Sequence, residues 1–117
     1  MIIDISVLQN HSYNTKEFKI LNYIPAIYFL FERDQLVYIG KTNTLRQRLV
    51  SIYSTKKNWK VDSFRYYPVN LPNLALFGLE IENIRHYKPK YNVVGNKEKK
   101  NKLLDFVYSR SSDPLPV

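Results

Sequence analysis

Two apolar runs stand out along the chain, residues 26–31 (AIYFLF) and 36–39 (LVYI), divided by the polar link 32–35 (ERDQ). Both runs are β-branched and aromatic, which predicts two strands, and the short link predicts a hairpin. The parity of that hairpin decides where two tyrosines go. With an odd loop Tyr28 opposes Tyr38 and both hydroxyls leave one face of the sheet. A two-residue turn at Arg33 and Asp34 sends them to opposite faces. No Asn-Gly or Asp-Gly pair is present to force the two-residue turn.

Gly40 ends the second run, and Lys41, Thr42, Asn43 and Thr44 precede a helical pattern over 45–53. Leu45, Leu49 and Ile52 form its apolar stripe, Arg48 borders that stripe, and Arg46 and Gln47 face further out. A basic loop follows at 54–61 (STKKNWKV), then a third strand over 63–69 (SFRYYPV), with Pro68 marking an edge or a terminus. Asn70 and Asn73 around Pro72 open a helix over 73–87, which Lys88 and Pro89 stop. Residues 91–94 read as short and extended. At the front, 2–7 (IIDISV) alternates as a short strand, and 8–24 offers no period on which to assign an element. At the back, 97–107 reads as a helix and 109–117, with its two prolines and three serines, as a frayed tail. The expected organisation is an N-terminal extension (1–24), an α+β core (25–94) with a small three-stranded antiparallel sheet flanked by helices, and a basic C-terminal helix and tail (95–117).

Composition narrows the function. At 117 residues there is room for one core. The net charge of +8 favours an anionic partner, nucleic acid before a membrane surface. The absence of cysteine excludes disulfides, zinc–thiolate sites and a cysteine nucleophile, and fits a cytoplasmic protein. No apolar run approaches the roughly 18 residues of a membrane span, and the first ten residues lack the basic cluster of a secretion signal. Ten tyrosines suit wet, polar sites as well as half-buried core.

The 73–87 helix carries two carboxylates that helical geometry separates by roughly 200°. Glu82 shares its side with Gly78, Arg85 and His86, and reads as a solvent-facing ion pair. Glu80 lies between Leu76 and Ile84 on the apolar side, and a carboxylate there needs a partner. Either a buried arginine, with Arg48 the candidate, or a divalent cation fills that role. Asn92 on its own reads as a turn residue. Trp59 and Tyr66 fit base stacking and core packing equally. His86 falls on the outer side with Glu82, and His11 lies in the unassigned stretch.

The succession AIY…YIG, GKTNTLRQR, a helical Glu and PKYN resembles the GIY-YIG nuclease family over residues 25–94. Its wording is similar to the N-terminal nuclease domain of the bacterial excision-repair subunit that makes the 3′ incision. Ala26 replaces the first glycine of the motif. The resemblance implies a catalytic set of Tyr28, Tyr38, Arg48, Glu80 and Asn92, with Glu80 binding one Mg²⁺ or Mn²⁺. It departs one helical turn after Arg48, where a His or Tyr is usual and Ile52 stands. Tyr53, about 100° away around the helix, either serves instead or leaves the role unfilled.

The implied chemistry is hydrolysis of a DNA phosphodiester. Arg48 would hold the charge growing on phosphoryl oxygens. Tyr28, hydrogen-bonded to Tyr38 and helped by the nearby cation of Lys41, would activate water. Arg46, Lys56, Lys57, Lys60 and Arg65 would contact backbone phosphates. The residues outside the catalytic unit leave no room for a targeting domain, so a partner protein, a homodimer or a preferred DNA shape would direct cutting, in repair, a mobile element, a phage or restriction. The competing reading is a catalytically weak or inactive nucleic-acid-binding domain of the same fold, and a third is a basic interaction module.

Overall fold

A computed structural model describes residues 1–93, and the helix and tail expected over 95–117 lie outside the described residues. Strands β1 (His11–Ser12), β2 (Ala26–Glu32), β3 (Gln35–Thr42) and β4 (Ser63–Pro68) form one antiparallel sheet in the order β1-β4-β2-β3. The sheet thus has four strands where three were expected; the fourth is the two-residue β1, paired to β4 through His11 with Phe64 and Ser12 with Ser63. Pro68 ends β4, where its missing N–H costs no ladder bond.

Central β2 is buried on both faces from Ala26 to Phe31, which is why its sequence is an unbroken apolar run. On one face, Tyr28, Leu30 and Phe64 pack with Phe18 of helix α1 (Thr15–Lys19) and with Leu45, Leu49 and Ile52 of helix α2 (Leu45–Thr55). On the other, Ile27, Phe29, Phe31 and Ile39 pack with Leu76, Leu79 and Ile84 of helix α3 (Asn73–Tyr87). Lys88, with φ of 51°, ends α3 in a left-handed residue ahead of Pro89.

The β2–β3 hairpin uses the two-residue turn after all. Arg33 and Asp34 both have positive φ, 50° and 65°, as a primed turn requires. That turn alone would place Tyr28 and Tyr38 on opposite faces. A β-bulge reverses the parity: Phe31 pairs with Leu36 but Leu30 pairs with Tyr38, leaving Val37 as the extra residue. Beyond the bulge Tyr28 pairs with Gly40, so Tyr28, Tyr38 and Gly40 share the α2 face.

Residues 2–7 are not a strand. Ile5–Val7 form a 3-10 turn, because the Asp4 side chain accepts from Ser6 N–H. The backbone ahead of it is occupied by α3. Ile3 N–H donates to Asn83 Oδ1 at 2.8 Å, and Ile3 C=O accepts from the Tyr87 hydroxyl. Residues 90–93 are likewise a short helix, α4 (Lys90–Val93), and not an extended segment, with Asn92 N–H bonded to Pro89 C=O. Glu82 is exposed as expected, paired with the N-terminal amine.

Gly40 is required for space. A Cβ there would sit 2.2 Å from Cζ and Oη of Tyr28, whose ring crosses directly over it. Gly40→Ala must therefore push the Tyr28 ring out of a packed core. We expect it to lower stability by about 1–3 kcal/mol in urea unfolding, the usual cost of overpacking.

Candidate active site

Side chains from four elements meet over β3, the edge strand. Tyr28 from β2 and Tyr38 from β3 have ring centroids 6.1 Å apart with planes inclined at 38°. Arg48 of α2 and Glu80 of α3 both act electrostatically on the two phenols. Glu80 comes from the far face because α3 packs along β3, and Asn43 Nδ2 ties the end of that strand to Asn73 Oδ1 at the start of α3, at 3.2 Å. Tyr28 is buried, Tyr38 and Glu80 are half-buried, and Arg48 is exposed. The set therefore grades from core to solvent.

Burial pushes the Tyr28 phenol far above its usual range, and Tyr38 adds to the rise. Arg48 opposes it, while Glu80 and the hydrogen bond to Tyr38 reinforce it. Tyr38 is raised too, by burial first and then by Glu80, while Arg48 and the hydrogen bond from Tyr28 pull the other way. The two phenols are thus coupled to one another as well as to Arg48 and Glu80. Tyr28 is the more deeply buried, so burial makes it the harder of the two phenols to ionise.

Asn92 is buried with both ends of its amide on one residue. Ile39 N–H donates to Asn92 Oδ1 at 2.8 Å, and Asn92 Nδ2 donates to Ile39 C=O at 3.0 Å. Ile39 sits between Tyr38 and Gly40, so Asn92 fastens the edge strand at the point where the site is built.

Other expected members lie elsewhere. Lys41 pairs with Ile27 and leaves the face opposite the tyrosines, so Arg48 is the cation that acts on them. Tyr53 points toward Tyr13 and Phe18, at ring centroid distances of 5.4 and 5.6 Å, while Ile52 joins the core. Arg65 is turned inward, with Nη1 donating to Ile5 C=O at 2.8 Å and the guanidinium over Phe31. Arg46 donates to Leu21 C=O at 2.8 Å and lies over Tyr23. Both arginines hold local structure. Lys56, Lys57 and Lys60 are exposed on the loop between α2 and β4.

Three groups escaped the sequence reading. His11 stacks on Phe64 and Tyr66 and meets Glu17 Oε1 at 3.2 Å. Asn14 caps α1 by accepting from Glu17 N–H at 2.9 Å, and the Asn-x-x-Glu spacing was a readable helix-start signal. Tyr91 stacks on Trp59 at 4.4 Å, and no local pattern announces that contact.

Among the described residues no group of three or more His, Cys, Asp or Glu side chains is placed to hold a metal. One half-buried carboxylate beside hydroxyl oxygens suits a hard cation that keeps most of its own water, as Mg²⁺ does. It does not suit zinc or a two-metal centre. No helix of the described residues is long and apolar enough to cross a membrane.

No protein-family profile matches the chain. Its fold is similar to that of the GIY-YIG N-terminal endonuclease domain of UvrC from Thermotoga maritima bound to its catalytic divalent cation, magnesium. The TM-score is 0.57 and the identity 27%, over 67% of this chain and 93% of that one. A tyrosine-to-phenylalanine mutant of that domain, bound to its catalytic divalent cation, matches with a TM-score of 0.57 at 28% identity over the same shares. In sequence, the chain is 27% identical over 99 residues to UvrABC system protein C of Mycoplasma mycoides subsp. mycoides SC, covering 78% of this chain and 16% of that protein. The corresponding protein of Cytophaga hutchinsonii is 34% identical over 80 residues, 60% of this chain and 13% of its own length. The chain thus spans about one sixth or less of the curated relatives it matches.

The raised phenols make a pH prediction. Tyr13 is pushed up to about 12, by burial and then by Tyr53, and Tyr28 and Tyr38 are raised as well. A phenol raised in the fold keeps its proton longer there than in the unfolded chain. Its contribution is complete below a pH of about 10 and is lost as pH climbs through the folded value. Stability should be flat across neutral pH and fall above about pH 10. In an alkaline absorbance titration, Tyr28→Phe should remove one late-ionising group; a single class of phenols near 10 would contradict the assignment.

Proposed function

We propose, for a chain that belongs to the GIY-YIG family, that it is a DNA endonuclease that hydrolyses phosphodiester bonds with one divalent cation. The observation that carries this reading is the meeting of Tyr28, Tyr38, Arg48 and Glu80, brought from four elements to one stretch of β3. The likeness to an excision-repair nuclease domain favours a repair incision, and the exposed lysines of the α2–β4 loop suit a phosphate backbone.

In this reading Arg48 binds the scissile phosphate with its planar fork and steadies charge on the phosphoryl oxygens. Tyr38 orients the attacking water and takes its proton. Tyr28 holds Tyr38 in place and, by donating to its oxygen, stabilises the phenolate that forms. Asn92 is a positioning residue, acting through Ile39 on the strand that carries Tyr38. Glu80 would hold Mg²⁺ or Mn²⁺, and the bound cation supplies positive charge that neutralises the phosphate and, with Arg48, favours ionised Tyr38.

A second reading, a nucleic-acid-binding domain with weak or no cleavage, draws on one observation. The position one turn after Arg48 is the buried Ile52, and Tyr53 is engaged with Tyr13 and Phe18.

Nicking of supercoiled plasmid separates the two. We expect cleavage with Mg²⁺ or Mn²⁺ and none in EDTA. Arg48→Ala and Glu80→Ala should each lower the rate by about 10²–10³ while leaving DNA binding largely intact. The rate should climb with pH on the alkaline side, and Tyr38→Phe should flatten that limb. Salt-dependent binding without cleavage under either metal would establish the second reading instead.

A further inference from the structure

Beside Tyr38 lies a second group of rings to which the cleavage chemistry gives no task. The Trp59 ring is 5.2 Å from Tyr38 and stacks on Tyr91 with centroids 4.4 Å apart and planes 12° from parallel. Lys56 Nζ lies over Trp59 at 5.6 Å, and Lys90 Nζ lies over Tyr91 at 5.4 Å. The two ammonium groups thus border the stacked pair, one at each ring. Trp59 and Tyr91 are half-buried, and both lysines are exposed. Both rings pack against the core on one side, and the exposed lysine chains border the pair toward solvent.

The rings are fixed before any ligand arrives. The Trp59 backbone N–H donates to Lys56 C=O at 3.1 Å, and the Lys60 backbone N–H donates to Glu32 Oε2 at 2.8 Å. The same Glu32 oxygen accepts from the Tyr91 hydroxyl, so one carboxylate anchors both segments. Neighbouring Asn92 is locked on Ile39. Two rigid aromatic faces, each with a cation that can swing from ring to phosphate, match what single-stranded nucleic acid requires: a flat partner for a base and a positive partner for its backbone.

We propose that Trp59 and Tyr91 form a stacking site for an unpaired nucleobase flanking the scissile phosphate, with Lys56 and Lys90 taking the adjoining phosphates. This rests on the endonuclease reading and narrows its substrate. Bases inside a regular duplex have both faces covered by their neighbours, so only a nucleotide displaced from the stack can reach the rings. The preferred DNA is then one with an unpaired or displaced nucleotide next to the cut.

Trp59 is the chain's single tryptophan, so its fluorescence reports on this ring alone. The full chain in EDTA is titrated with an oligothymidylate and with an abasic strand of equal length, following fluorescence and anisotropy. The base-bearing strand should quench Trp59 and the abasic strand should bind without comparable quenching. Trp59→Ala should weaken the base-bearing strand by about fivefold or more and leave the abasic strand unchanged. Equal quenching by both strands, or equal affinity losses for both, would overturn the stacking site. The plasmid assay runs alongside: base-dependent quenching without cleavage removes the endonuclease reading and keeps the stack, and cleavage without it does the reverse.

Discussion

One surplus residue in β3 governs the architecture of the site. The tight turn at Arg33 and Asp34 fixes a pairing that, carried along the ladder, would separate Tyr28 from Tyr38 by the thickness of the sheet. Val37 breaks that pairing once, and every residue from Tyr38 onward changes face. The phenols then lie on the side that α2 covers, where Arg48 can act on them. Gly40 falls opposite Tyr28, where its missing side chain leaves room for the crossing ring.

The edge strand is held as carefully as it is registered. Asn92 offers Ile39 one acceptor and one donor, as a neighbouring strand would, and α4 thereby stands in for a fifth strand. Around this fixed strand the charges are balanced and not maximised. Arg48 and Glu80 act on both phenols with opposite sign, and burial weighs on the side of the neutral form. A further cation beside Arg48 would shift that balance toward the ionised form.

What could be read in the sequence follows the range of the interactions. The hairpin strands and helices α2 and α3 are specified by their own periodicity, and they appear where the pattern puts them. The separation of Glu80 from Glu82 also follows from helical geometry alone. The first seven residues were misread because their backbone is organised by Asn83, Tyr87 and Arg65, far away in sequence, while Asp4 imposes a local turn. The bulge left no trace either, since Leu36, Val37 and Tyr38 are all apolar or aromatic and no polar position marks the slip. Side-chain types pointed to the site, but which arginine is left exposed and which holds the fold depended on tertiary contacts: Arg48 is exposed, whereas Arg46 and Arg65 bond the carbonyls of Leu21 and Ile5.

The amide of Asn92 has an effect on assembly as well. A bare outer strand invites another chain to extend the sheet. Here the outward-facing polar groups of Ile39 are already satisfied, so a second molecule approaching that border would have to evict a buried side chain before its first ladder bond could form. Any self-association of this domain is thereby steered away from sheet continuation along the border that carries Tyr38.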